Sequence, residues 1–271
     1  MRERHVIVTG GSRGLGRSVA VLFAARGDRV SLVARDGAQL EEVATSIGGD
    51  VGWEMADVTD RVALDRAIAG LVERSGPCDV MVAAAGAARP GYFTELDADV
   101  FRGQMELNYF GVLNAVRAVT PAMVERSAGS IVGVASAAAL VGVYGYAAYA
   151  PSKFAVRGLM EVLRSELKPH GIHVACVFPP DMDTPGFAVE NRTKPEEGAR
   201  ISAGIKPRQP DDVARAVLRG IDRRRFVITA DPQTAALARA AGLLSPVLHR
   251  VMDRTVRKVQ GEAARPPGTG R

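Results

Sequence analysis

The sequence predicts a single α/β domain: a doubly wound parallel sheet of about seven strands with helices on both faces. Three observations carry this. Short β-branched apolar runs alternate with amphipathic segments along most of the 271 residues, the order that right-handed strand–helix–strand crossovers produce. Several runs, Ile7-Val8 and Val132–Ala135 among them, are apolar without interruption, as suits a sheet covered on both sides. No Pro/Gly/Ser-rich linker divides the chain, and 47% of its residues are apolar, enough to bury one sizeable core.

In chain order, strands are expected at His5–Thr9, Arg29–Ala34, Val51–Ala56, Asp79–Ala83, Ser130–Ala135, His173–Phe178 and Phe226–Thr229. Helical patterns fall between them near 14–26, 37–47, 60–74, 97–125, 149–168 and 211–223. Together these form a catalytic and binding domain over 1–231. Its segment 181–209, rich in Pro and Gly, reads as a mobile lid. Beyond it, Leu243, Leu244, Val247, Leu248, Val251, Met252, Val256 and Val259 make an apolar stripe at helical spacing. An amphipathic helical extension is therefore expected over 232–264, followed by a disordered tail at 265–271.

One stretch invites a different reading. From Ser127 to Ser152 there is no charged residue, a run long enough to span a bilayer. Its Gly and Ala content, Pro151, Ser136 and three tyrosines point instead to a buried strand, a loop and the start of a helix. Cys78 and Cys176 lie far apart without metal-ligand spacing, so no metal site is expected, and they suggest a reducing compartment. The start MRERHVIVTG has no signal-peptide core, so the expected location is cytoplasmic. Net charge is +5 overall, with 15 Lys/Arg against 6 Asp/Glu over residues 200–271. This basic quarter lacks interleaved aromatics or a nucleic-acid motif, which argues against a nucleic-acid partner. Arg250, Arg254, Arg257 and Lys258 accompany the apolar stripe. A basic amphipathic helix of this kind suits peripheral contact with the inner face of an anionic membrane. Packing against the domain or a second subunit is the alternative.

The chemistry is concentrated in three places. Directly after the first strand comes Thr9-Gly10-Gly11-Ser12-Arg13-Gly14-Leu15-Gly16, then a helix. Glycines serve where the chain turns sharply and its backbone approaches a pyrophosphate, and the helix N-terminus offers free N–H groups to the phosphates. The strand–loop–helix context makes this a dinucleotide (Rossmann-type) site rather than an ordinary turn. At the end of the second strand, an acid would bind the adenosine ribose; here Ala34 is followed by Arg35, with Arg13 in the glycine loop. Arginine forks suit a 2′-phosphate, so the expected cofactor is NADPH. Asp36 reads as a helix cap. The bland alternative leaves Arg13 and Arg35 as solvated surface charges.

Further along, Tyr149 and Lys153 stand at i and i+4, one turn apart on one helix face. A free phenol has a pKa near ~10; a neighbouring ammonium favours the phenolate and should lower it, so that the phenol can exchange a proton with a substrate oxygen. Pro151 fits the first turn of a helix. Ser136 closes the fifth strand at the ligand-bearing edge, where its hydroxyl can hydrogen-bond a carbonyl oxygen. Tyr144 and Tyr146 have no lysine four residues on and are expected to line the cleft or pack.

The TGxxxGxG spacing of Thr9–Gly16 together with Ser136, Tyr149 and Lys153 resembles the short-chain dehydrogenase/reductase family, over about residues 5–230. The resemblance implies a nicotinamide-dependent oxidoreductase acting on a carbonyl or alcohol, commonly a homo-oligomer packed through helices near 97–125 and 149–168. It implies that Ser136, Tyr149 and Lys153 are catalytic and that Asn108 is a fourth member binding a relay water. It also implies that Lys153 grips the nicotinamide ribose. Asp57, with Val58 beside it, matches the residue that holds the adenine amino group, with helix capping by Asp57 or Thr59 as the plainer role. Ala84 and Gly86 lie in Val82–Gly86, in place of the family's NNAG segment, whose asparagines are absent here; backbone contact with the ribose is retained. Pro179 and Thr184 match the segment beside the nicotinamide. The continuation PPDMDTPGFAVENRTKP, residues 179–195, is similar to that of the 3-ketodihydrosphingosine reductase branch. This implies a hydrophobic ketone substrate, the 3-keto group of a long-chain sphingoid base; other hydrophobic ketones, 3-oxoacyl or steroid-like, remain open. Asp181, Asp183 or Glu190 could receive a substrate ammonium, while Phe178, Met182 and Phe187 could contact an alkyl chain. A dinucleotide-binding protein without catalysis is the alternative from another class.

Overall fold

A computed structural model describes residues 3–263; the predicted tail at 265–271 lies outside them. Seven parallel strands form one sheet in the order β3-β2-β1-β4-β5-β6-β7. They are β1 (His5–Thr9), β2 (Arg29–Ala34), β3 (Val51–Met55), β4 (Val80–Ala83), β5 (Ser130–Val134), β6 (His173–Val177) and β7 (Val227–Ile228). The order reverses between β1 and β4, and in such sheets the crevice outside the carboxyl ends at that point takes the ligand.

Alternation of side chains along the strands explains the two layers. Ile7 and Met81 point to one face, where α3 (Arg61–Ser75), α5 (Gly111–Glu125) and α6 (Tyr149–Leu167) cover them. Val6, Val8, Leu32 and Val82 point to the other, under α1 (Gly14–Ala24), α2 (Gly37–Ile47) and α9 (Pro210–Asp222). Both faces are apolar because both are buried. Each fully buried large side chain, such as Phe23 or Leu32, contributes about 1.5–3 kcal/mol.

Two predicted elements differ in detail. The pattern at 97–125 is not one regular helix: α4 (Ala98–Met105) passes through a π-helical turn, Glu106–Phe110, into α5. Gly111 sits where the turn closes, and a side chain there would meet Val58 Cγ2 at 2.6 Å. Residues 181–209 contain two short helices, α7 (Pro185–Glu190) and α8 (Glu196–Ser202), which their Pro and Gly content hid. The uncharged stretch resolves into β5, a short 3₁₀ turn at Ala137–Ala139, a loop and the start of α6. Among the described residues no helix is long and apolar enough to cross a membrane. The C-terminal pattern forms one long helix, α10 (Pro232–Ala263), with Pro246 inside it.

Candidate active site

The glycine loop joins β1 to α1 at the sheet's carboxyl edge. Gly10 and Gly14 have φ of +70° and +53°, the left-handed region that glycine enters without penalty. At Gly16 a Cβ would lie 2.2 Å from the Gly10 carbonyl oxygen, and at Gly10 it would lie 2.8 Å from the Ala85 backbone. The loop is thus a bare-backbone cradle. Arg13 precedes α1 without a capping hydrogen bond from its side chain, so the first-turn N–H groups are left to a ligand anion. Ser12 and Leu15 are buried beneath the loop, Leu15 as part of the core, so Leu15 offers a ligand only its backbone. This cradle fits a dinucleotide pyrophosphate.

Across the β2 and β3 ends, Arg35 Nη1 lies 3.9 Å from Asp57 Oδ2, the arginine exposed and the aspartate half-buried. Such a pair contributes about 0–1 kcal/mol, so Arg35 is readily released to a phosphate. Asp36 caps α2, accepting from the Gln39 N–H, as expected. Capping of α3 falls to neither Asp57 nor Thr59. Asp60 accepts from the Ala63 N–H, while Asp57 Oδ1 accepts from the N–H and hydroxyl of Thr59 in a tight turn. Val58 is buried in the core, and its carbonyl accepts from Asn114 Nδ2 at 2.9 Å. Ala84 donates its N–H to the Thr9 carbonyl, tying the β4 loop to the glycine loop.

The π-helical turn drives Asn108, 0% exposed, into the centre of the cleft. Its Oδ1 accepts from the Ala87 N–H at 3.0 Å. Its Nδ2 donates to the Ala87 carbonyl at 3.0 Å and to Ser152 Oγ at 3.1 Å. Ser152 in turn donates to the Tyr149 carbonyl at 2.6 Å. Gly86 closes the group: a side chain there would press on Asn108 Oδ1 and on Lys153 Nζ. Sequence reasoning did not single out Ser152, although its place between Tyr149 and Lys153 was a signal.

Lys153 is buried and donates from Nζ to the Val134 carbonyl at 3.0 Å. Burial lowers its pKa to about 8. Nζ stands 5.8 Å from the centre of the Tyr149 ring. Burial pushes the Tyr149 phenol up from its ordinary value, opposed by a hydrogen bond with Ser136, and the charges of Glu190 and Asp181 push it further up. The expectation that the neighbouring ammonium lowers this pKa is therefore corrected for the free protein, where burial raises it. In the free protein, desolvation and two carboxylates outweigh an ammonium whose own charge is disfavoured by burial. Ser136 also accepts from the Ala138 N–H, which fixes its hydroxyl at the strand end.

The segment after β6 closes the far side. Pro179 is buried, and its carbonyl accepts from the Ala137 N–H. Thr184 caps α7, accepting from the Phe187 N–H at 3.1 Å, a role the sequence reading missed. A Cβ at Gly14 would lie 3.4 Å from Thr184 Cγ2, so the segment after β6 and the glycine loop meet. Tyr92 and Tyr144 hydroxyls both donate to buried Glu197 on α8. Beside them opens a cleft of about 860 Å³ lined largely by Tyr92, Phe93, Val143, Tyr144, Tyr146 and Phe154. Tyr146 lies 5.9 Å from Tyr149, ring centre to ring centre. Cys78 and Cys176 are buried free thiols, each pushed up to about 12. Among the described residues no group of His, Cys, Asp or Glu is arranged to hold a metal.

The cradle, the buried Asn108 and the Ser136–Tyr149–Lys153 group meet at one crevice. The model of the short chain dehydrogenase family matches residues 4–195, and the chain belongs to that family. Among curated proteins it is 37% identical to the 3-ketodihydrosphingosine reductase of Dictyostelium discoideum, over 93% of this chain and 82% of that one. It is 38% identical to the 3-dehydrosphinganine reductase of Danio rerio, over 90% and 76%. Among solved structures, a short-chain dehydrogenase from Sphingobium yanoikuyae in complex with NADPH superposes with a TM-score of 0.77. It is 26% identical, with 98% of each chain covered. A levodione reductase gives 0.79 at 26% identity, covering 87% of this chain and all of the other.

Proposed function

We propose that this chain is an NADPH-dependent reductase of the 3-keto group of a long-chain sphingoid base, taking 3-ketodihydrosphingosine to dihydrosphingosine. The observation that carries this is Lys153, buried one turn from Tyr149 on α6 with its Nζ 5.8 Å from the Tyr149 ring centre, with Ser136 at the end of β5, beside a bare-backbone dinucleotide cradle. Kinship with the sphingoid-base reductases supplies the substrate, and the aromatic cleft beside Tyr146 suits its alkyl chain.

Gly10, Ser12, Arg13, Gly14, Leu15 and Gly16 would hold the pyrophosphate, with Arg35 and Arg13 on the 2′-phosphate. Asp57 and Val58 would meet the adenine, Ala84 and Gly86 the ribose, and Pro179 and Thr184 the nicotinamide. When bound, NADPH supplies the hydride for the carbonyl carbon. Tyr149 donates its phenolic proton to the carbonyl oxygen, and the Ser136 hydroxyl hydrogen-bonds that oxygen as negative charge develops. The resulting phenolate is stabilised by Ser136 and by the Lys153 ammonium, which also holds the ribose. Asn108 orders the relay that returns a proton to Tyr149. The domain over 1–231 carries this chemistry with residues 181–209 as its lid, and 232–264 is an extension. A homo-oligomer through the helices of 97–125 and 149–168 is supported by exposed Phe110 and Phe154; light scattering that reports a monomer would remove it.

The test is product analysis with 3-ketodihydrosphingosine and NADPH. Dihydrosphingosine forming with stoichiometric NADPH loss is the expected result; turnover equal to the enzyme-free control overturns the proposal. The exposed edge of α10, with Leu243 86% exposed beside Leu244, Val247 and Val251, supports peripheral contact with an anionic membrane. Sedimentation with anionic vesicles should fall as salt rises and vanish for Leu243→Asp/Val247→Asp; binding unaffected by the pair removes the idea.

A further inference from the structure

Next to Tyr149 lies a group of charges that the proton chemistry above does not use. Tyr146 donates its hydroxyl to Glu190 Oε1. Lys194 Nζ stands 3.7 Å from the same oxygen, with side-chain exposures of 4% for the lysine and 16% for the glutamate. The ammonium is held between two rings, 4.7 Å from the centre of Phe187 and 5.8 Å from that of Tyr146. Asp181, partly buried, completes the group: the charge of the same Lys194 acts on its carboxylate, and burial opposes its ionised form. Two carboxylates face one ammonium, which leaves one negative charge uncompensated in a partly buried place. Such a charge is costly unless a cation joins it.

We infer that Glu190, with Asp181 beside it, is the specificity-determining site for the protonated amino group of a 2-amino ketone, seated against Tyr146 next to the reacting phenol. The inference rests on the reading of this chain as a sphingoid-base reductase and assigns one part of that substrate. Of the three acids that sequence offered, Asp183 does not fit: it is exposed, and its Oδ2 accepts from Gln209 Nε2 at 3.3 Å. Glu190 fits because α7 presents it to Tyr146, whose ring lies 5.9 Å from that of Tyr149. The arrangement also couples recognition to chemistry. Both carboxylates disfavour the Tyr149 phenolate, and a cation bound between them removes that opposition when the phenol must lose its proton. A ketone without the amine would leave it in force.

The experiment compares two ketones of equal chain length, 3-ketodihydrosphingosine and its 2-deamino counterpart, by kcat/KM with NADPH. The wild-type protein should prefer the amine by about 10–100-fold, the worth of one charge-assisted hydrogen bond. In Glu190→Gln that preference should fall by about tenfold or more, with Glu190→Asp retaining part of it. Equal wild-type efficiency on both ketones overturns the inference and leaves the proposed function standing. A preference undiminished in Glu190→Gln also overturns it. Turnover of neither ketone overturns the proposed function and the inference together. Should Glu190→Gln fail to fold, Asp181→Asn carries the same expectation of a reduced preference, and an unreduced one counts against the site.

Discussion

On the β1–α1 side of the cleft the walls are backbone. A side chain at Gly10 or Gly16 would strike backbone, Gly14 holds a left-handed φ of +53°, and of the nearby charges Arg13 and Arg35 are exposed and Asp57 half-buried. On the side of α6 and residues 181–195 the walls are buried or partly buried ionisable side chains: Tyr149, Lys153, Tyr146, Glu190, Lys194 and Asp181. One side is fixed by sterics and indifferent to pH; the other is tuned by desolvation and sensitive to every charge. The contrast suits a division of labour. A cofactor anion is held by N–H groups that need no tuning, whereas a proton donor needs a pKa that moves when substrate and cofactor arrive.

Three substitutions can break this contrast, the largest effect first. Lys153→Met should lower kcat/KM by about 10²–10⁴-fold, yet make the free protein no less stable at neutral pH. The sign follows from its lowered pKa of about 8. Between pH 8 and the ordinary lysine value of about 10.4, the unfolded chain binds a proton that the folded one has shed. The Lys153 contribution to stability therefore rises with pH across that window, against the fall from the Cys78 and Cys176 thiols pushed up to about 12, so wild type should gain on Lys153→Met as pH rises. Urea unfolding of both proteins from pH 7 to 10 measures the difference; a difference that does not change with pH would overturn it. Gly16→Ala should act in the opposite manner. Its methyl would lie 2.2 Å from the Gly10 carbonyl oxygen, so NADPH affinity should drop by about 10-fold or more, equally at all pH values. Arg35→Ala, which removes a charge from an exposed position, should cost about 10-fold with NADPH and nothing with NADH. Titration of cofactor fluorescence reads both.

The backbone side was the more legible of the two in sequence. A glycine spacing between an apolar run and a helix leaves little choice of geometry, and the seven strands appeared within a residue of their ends because β-branched runs have sharp boundaries. Tyr149, Lys153 and Ser136 were legible from spacing and from the strand end. The charge environment was not. Which carboxylates face Tyr149 depends on how residues 181–195 fold back, and no local pattern encodes that; the phenol's pKa was accordingly misjudged. The π-helical turn at Glu106–Phe110 was equally hidden, because a shift in hydrogen-bond register leaves no mark on hydrophobic period. Asn108 was found by resemblance alone, and the link through Ser152 came only with coordinates.

The long final helix has a mechanical consequence. Near its end Val259 is buried and Glu262 pairs with Arg200 of α8 at 3.2 Å, while about three turns past its start its apolar edge is open. The helix therefore runs, with Pro246 inside it, from an open surface to α8, whose Glu197 holds the Tyr92 and Tyr144 hydroxyls at the cleft. A load on the open edge would be carried along one continuous helix to the wall of the crevice.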